Sequence, residues 1–125
     1  MKASLKLSPL GHTWILDLDG SLLKHNGYIL DGYDTFLDGA IEFLRSIPKN
    51  DMIIFLTSRL SENSLQTEEF LRKHDIQYNH IIYNAPYGER VVINDRKPSG
   101  LDTAIAVNLT RDAFYGFNIE VDDSL

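Results

Sequence analysis

The chain has 125 residues, 43% of them hydrophobic, and a net charge of -6 from 18 acidic and 12 basic side chains. That length makes about one domain, able to bury a core without disulfides or structural metal, and the absence of Cys excludes thiolate nucleophiles and Cys-ligated zinc. The acidity, with no basic run or basic-aromatic stripe, argues against a nucleic-acid partner; no apolar run reaches bilayer length and the N-terminal residues hold no signal-like apolar core, so the expectation is a soluble, cytoplasmic chain without a membrane partner.

Met1 to His12 reads as a polar lead-in that ends in the turn Ser8-Pro9-Leu10-Gly11. Thr13 to Leu23 follows as Thr-Trp-Ile-Leu-Asp-Leu-Asp-Gly-Ser-Leu-Leu, an apolar strand that stops at two carboxylates one residue apart and runs into a Gly-Ser turn. Residues i and i+2 of a strand share a face, so Asp17 and Asp19 are expected close together, an arrangement that costs free energy unless a cation or proton intervenes. An Asp-x-Asp alone would more often be a polar turn after a core strand. Lys24 to Gly39 is rich in Gly, Asp and Tyr; Asn26-Gly27 predicts a hairpin turn between Leu22-Leu23 and Tyr28-Ile29-Leu30, giving a small β-flap beside the acids. Asp31, Asp34 and Asp38 lack the ligand spacing of a calcium loop and read as turn and cap residues.

Asp38 to Ile47 predicts a helix with Ile41, Phe43, Leu44 and Ile47 on its apolar face, ended by Pro48. Met52 to Leu56 is a continuous apolar run, expected as a strand buried on both faces of a parallel sheet. It stops at Thr57-Ser58-Arg59. Ser61 or Ser64 is expected to cap the next helix, with Leu65, Phe70 and Leu71 inward and Glu68, Glu69, Arg72 and Lys73 in water. Ile81-Ile82-Tyr83, Val91-Val92-Ile93 and Ala104 to Leu109 complete a predicted mostly parallel five-stranded sheet flanked by helices, in one Rossmann-like α/β domain spanning residues 1–125. Phe114, Tyr115 and Phe117 in the tail are available to pack on it.

Ligands in open parallel sheets bind at the carboxyl ends of strands. Three apolar runs here end in Asp17-x-Asp19, Thr57-Ser58 and Asn94-Asp95, with Lys97 close behind. Hard oxygen ligands of this kind hold Mg²⁺, and the ion offsets their clustered negative charge toward a phosphate. His12, His25, His74 and His80 have no metal-ligand spacing. Tyr28, Tyr33 and Tyr87 are candidates to line a sugar pocket, although aromatic residues in such domains are more often core or rim.

These motifs resemble those of the haloacid dehalogenase superfamily of phosphohydrolases. Trp14 to Ser21 is similar to its first motif, Phe55 to Arg59 to its second, and Val92-Ile93-Asn94-Asp95 to a short form of its fourth. The resemblance spans most of the chain and leaves no room for a separate cap domain, so it implies a small capless member, similar to phosphatases of sugar phosphates in surface-polysaccharide synthesis. It implies Asp17 as the nucleophile that forms an aspartyl-phosphate and Asp19 as the acid and base. Thr57 would bind a phosphoryl oxygen, and the backbone around Gly20, with Ser58 and Arg59, would contact substrate. Mg²⁺ would be held by Asp17, the Asp19 carbonyl and Asp95. The family's third-motif Lys is expected in the loop that here reads Asn84-Ala85-Pro86; Lys97 is the substitute candidate and Lys73 the second. Three functions follow as expectations: a Mg²⁺-dependent phosphomonoesterase acting on a small phosphorylated substrate, a weakened domain of the same kind that binds a phosphorylated ligand or partner, and, ranked lowest, a receiver-like phospho-acceptor. A capless site also implies an oligomer in which a neighbouring subunit serves as the lid.

Overall fold

The computed structural model describes residues 3–125, so Met1 and Lys2 of the predicted lead-in lie outside the described residues. Along the chain run β1 (Ala3–Leu7), β2 (Thr13–Leu16), α1 (Gly27–Leu30), α2 (Ala40–Ser46), β3 (Met52–Leu56), α3 (Ser64–Lys73), β4 (His80–Ile82) and β5 (Phe117–Val121). The class is α/β, and the strands form two parallel sheets: β2-β3-β4, and β1 paired with β5. Parallel neighbours need a crossover between them, which α1 and α2 supply before β3 and α3 before β4.

In the larger sheet Trp14 pairs with Ile53, Leu16 with Phe55, and Phe55 with Ile81. Partners in a parallel ladder share a face, and this set packs on a core of Leu18, Leu22, Leu23, Ala40, Phe43, Leu44 and Leu71. Helix α2 carries Phe43 into that core, where its ring lies 5.6 Å from Trp14, 5.3 Å from Phe114 and 5.2 Å from Phe117. Ile47 is buried just past the helix and Pro48 follows, as the sequence predicts. Gly39 begins α2 at φ 82°, and a Cβ there would stand 2.9 Å from the Tyr115 carbonyl carbon, so only glycine lets the tail cross the helix start this closely.

Four expectations are corrected. The sheet does not have five strands: Val91–Ile93 and Ala104–Leu109 are irregular and mostly exposed, Ile93 to 91%. Apolar runs extend into strands only where a neighbour offers a ladder and a face to cover, and neither is present here. The run Met52–Leu56 is not buried on both faces, because alternate positions, with Ile15, Met52 and Ile82, lie on an open side of the sheet. Leu65 is 86% exposed, since the inward face of α3 is set by Thr67 and Leu71, four residues apart, and a residue two before Thr67 lies about 200° round the helix.

The fourth correction is the flap. Asn26 takes the left-handed conformation at φ 55° but opens the one-turn helix α1 instead of a tight hairpin. The returning strand is farther along: the Lys24 N–H donates to the Thr35 carbonyl at 2.9 Å and the Leu37 N–H to the Leu22 carbonyl at 2.8 Å, with Leu23 opposite Phe36. A flap therefore exists, with α1 and residues 31–34 at its tip. The β1–β5 pair, by contrast, was expected as lead-in and tail. Its alternation is legible in Ser4-Leu5-Lys6-Leu7 and in Phe117-Asn118-Ile119-Glu120-Val121 once the two segments are seen side by side. Among the described residues no helix is long and apolar enough to cross a membrane.

Candidate active site

The register that sets Leu16 beside Phe55 and Leu56 beside Ile82 brings the ends of β2, β3 and β4 to one edge. After Asp17 the chain turns back sharply. The Leu18 carbonyl accepts the N–H groups of Ser21, Leu22 and Leu23 at 3.2, 3.0 and 2.9 Å, and the Gly20 N–H reaches the Leu23 carbonyl at 2.7 Å. Gly20 stands at φ 84°, and its bare backbone lies against the Arg111 side chain. Leu18, between the two acids in sequence, is buried, which fixes the turn.

Asp17 is the open acid. Ser21 Oγ donates to its Oδ2 at 2.9 Å, while Oδ1 faces Arg90 Nη1 at 3.5 Å, and about a third of each of these two charged side chains is exposed. Arg90 Nη2 lies 3.5 Å from Ser58 Oγ, so one guanidinium spans the ends of β2 and β3. Arg90 is the cation that sequence reasoning missed. The available signal was its place in the loop after β4, ahead of Asn94-Asp95, where the resemblance implies a basic group.

Asp19 is more enclosed, its side chain 16% exposed. Arg59 Nε and Nη2 donate to its two oxygens at 2.9 and 2.8 Å, a bidentate pair. The same guanidinium donates to both oxygens of Asp34 at 3.0 and 2.7 Å and to Thr67 Oγ1 at 3.0 Å. Tyr28 lays its ring over it, 4.1 Å from the Arg59 Cζ. Arg59 is 3% exposed and all five of its N–H donors are engaged, which leaves none for a substrate. Burial works against its charge, but the hydrogen bonds to Asp19 and Asp34 outweigh it and raise the Arg59 pKa above its ordinary value. Burial also raises the Tyr28 phenol, with the Arg59 charge opposing, and the ring stays neutral at physiological pH.

The remaining predicted residues separate. Thr57 is buried to 1%, and its Oγ1 accepts the Arg59 N–H at 3.0 Å. Ser58 is half-buried at the edge, its Oγ 3.4 Å from the Pro86 carbonyl. Asp95 lies in exposed irregular chain, where its N–H meets Asn94 Oδ1 at 3.0 Å and its carbonyl accepts the Thr103 hydroxyl. Lys97 begins an exposed turn closed by its N–H on the Leu101 carbonyl at 2.9 Å, and Lys73 is exposed in the last turn of α3. Among the described residues no three His, Cys, Asp or Glu side chains converge to hold a metal ion. The structure thus brings together Asp17, Ser21, Ser58 and Arg90, and beside them Asp19, Arg59, Asp34 and Tyr28, while Asp95, Lys97 and Lys73 stand outside both groups.

Tyr33 and Tyr87 are exposed, and only Tyr28 of the three candidate tyrosines touches the cluster. The His25 N–H donates to Asp112 Oδ1 at 2.8 Å, and the Asp112 N–H to the Gly20 carbonyl at the same length, which ties the tail to the acid turn. The chain matches no protein-family model, and no curated protein or solved structure matches it.

Proposed function

We propose that the chain is a phosphomonoesterase that works through an aspartyl-phosphate on Asp17. The observation that carries this reading is the half-open Asp17 carboxylate at the end of β2, oriented by Ser21 and faced by a guanidinium that also reaches Ser58. A phosphate monoester dianion seated there meets Arg90 across its oxygens, and the cation offsets the charge that otherwise repels an attacking carboxylate. Asp17 then forms a bond to phosphorus as the ester oxygen leaves with the P–O electron pair and takes a proton from the Asp19 carboxyl. Water next opens the acyl phosphate, releasing inorganic phosphate and restoring Asp17, with Asp19 accepting the water's proton. Thr57 serves from beneath, by holding the Arg59 backbone.

Mg²⁺ enters the proposal from the oxygen-ligand motifs of the sequence and from the resemblance they carry. It would need Asp17, the Asp19 carbonyl and Asp95 together, and these residues as arranged do not fit that requirement, so no step is routed through the ion. The weakened, ligand-binding reading has its own support in the Arg59 clamp on Asp19 and in the lack, among the described residues, of an ion pair between Lys97 and either group. The substrate class follows from the same resemblance: a small sugar phosphate or related metabolite, with a neighbouring subunit covering the open edge.

Phosphate release from sugar phosphates and nucleotides, measured with Mg²⁺ and with EDTA, tests the reading. Release that EDTA abolishes supports the Mg²⁺-dependent enzyme; release unaffected by EDTA keeps the phosphatase and removes the ion; binding of a phosphorylated ligand without release moves the assignment to the weakened domain. Arg90→Ala is expected to lower kcat/KM by on the order of 10²-fold, the effect of losing one electrostatic donor, with thermal stability unchanged because Arg90 is a surface residue. Wild-type turnover in that variant would remove Arg90 from the site.

A further inference from the structure

Asp34 is 6% exposed, sits on the flap, and takes no part in the chemistry above. Both its oxygens are spent on Arg59. Asp19 alone would neutralise that guanidinium, and a second carboxylate leaves a buried cluster with an excess negative charge, a costly way to build a scaffold. The geometry gives it another use. The Arg59 fork is planar and rigid, with one edge on Asp19, the other on Asp34 and Thr67, and the Tyr28 ring on its face. Rotation of the guanidinium breaks several bonds at once, so the position of Asp34 is passed directly to Asp19.

We infer that Asp34 is a positioning residue: acting through Arg59, it holds the Asp19 carboxylate where it takes a proton from the water that opens the aspartyl-phosphate. In that step the Asp19 oxygen gains the proton, the water oxygen bonds to phosphorus, and the bond from phosphorus to Asp17 breaks. The inference rests on the phosphatase reading. It adds that the flap, which carries both Asp34 and Tyr28, governs the proton transfers through Asp19, confined to the second half of the reaction when the leaving group departs without a proton, whereas Ser21 and Arg90 serve the attack by Asp17.

The test uses p-nitrophenyl phosphate, whose leaving group departs without a proton, in rapid-mixing experiments. Asp34→Asn is expected to retain the first release of p-nitrophenolate, about one per chain, and to lower the following steady rate about 10²-fold relative to it, the scale of a displaced catalytic group. Asp34→Glu is expected to recover part of the steady rate. Parallel loss of both phases, or no change in their ratio, overturns the inference. If Asp34→Asn does not fold, Thr67→Val removes one of the five acceptors and is read the same way, with a several-fold change in the ratio expected and an unchanged ratio overturning the inference. If the wild-type chain releases no p-nitrophenolate, the phosphatase reading has failed by itself, and the positioning is read by NMR. The Arg59 Nε–H signal is expected to exchange slowly and to couple to the Asp19 carboxylate in the wild type. It is expected to lose both properties in Asp34→Asn, and their persistence there overturns the inference.

Discussion

Asp17→Asn is expected to take phosphate release to background, a fall on the order of 10⁴-fold or more, while the protein keeps its fold and its melting temperature. The amide is nearly isosteric with the carboxylate and still accepts the Ser21 hydroxyl through its oxygen, so the turn held by the Leu18 carbonyl is undisturbed. What is lost is the anionic nucleophile. With it goes a charge facing Arg90, and since about a third of each side chain is exposed this pair contributes little to stability, on the order of 0–1 kcal/mol. Separation of activity from stability is therefore the signature to look for. Acid-quenched wild-type protein mixed with labelled substrate should carry hydroxylamine-labile phosphate, and the variant none. Residual turnover within tenfold of wild type would place the nucleophile elsewhere and leave Asp17 as an anchor for Arg90.

The strands β2, β3 and β4 and the helices α2 and α3 were legible because their signals are local. Apolar runs of strand length, helical spacing in Ile41 to Ile47 and the Pro48 stop all report contacts made within a few residues or across one crossover. The two acids at the end of β2 are visible as a pair in the sequence, and the structure gives each its own cation, Arg90 for Asp17 and Arg59 for Asp19. Beyond Ile82 the same reasoning failed. Val91-Val92-Ile93 is as apolar as β4, but a strand is defined by its neighbour and by the face it covers, and no local pattern states whether a neighbour exists. The β1–β5 pair shows the reverse case. Each segment alternates weakly, and the pairing joins residues more than a hundred positions apart, Ala3 with Phe117, which no window along the chain contains.

The site divides along the same line. Arg59, at the end of the Thr57-Ser58-Arg59 motif, was expected to reach for substrate because its position at a strand end is open in sequence terms. Its occupation depends on Asp19 and Asp34, which are 40 and 25 residues away, and on the flap folding back through Lys24 and Thr35 to deliver the second of them. Asp34 itself read as a turn residue because nothing local marks an acid that will be buried. Lys97 is near Asp95 in sequence, yet the cation that meets Asp17 is Arg90, on the other side of Asp95. Proximity along the chain does not report which cation faces Asp17, because the segment carrying them forms no strand.

Arg59→Met should be the most destabilising single change in the molecule, by about 3–5 kcal/mol, the cost of removing one partner from a buried ion cluster. The methionine fills much of the space beneath Tyr28, so cavity formation contributes little. The cost comes from Asp34, whose side chain is 1% exposed and would face its charge with no counterion, and from Asp19, which is only slightly more open. Thr67 Oγ1 also loses a donor while keeping its own bond to the Asn63 carbonyl at 2.9 Å. A fall in Tm of roughly 10–20 °C is expected for a domain of this size. Arg59→Lys should recover less than half of it, because an ammonium cannot span both carboxylates and Thr67 in one plane. Adding Asp34→Leu to Arg59→Met should restore stability relative to Arg59→Met alone, since the unpaired buried charge is then removed. Urea unfolding of the four proteins measures all of this, and a loss below 1 kcal/mol in Arg59→Met would mean that the cluster opens to water when its cation is gone. The double variant then separates the two jobs of the cluster: if it is stable but the steady rate of phosphate release stays low, Arg59 and Asp34 are needed to hold Asp19 and not merely to hold the fold.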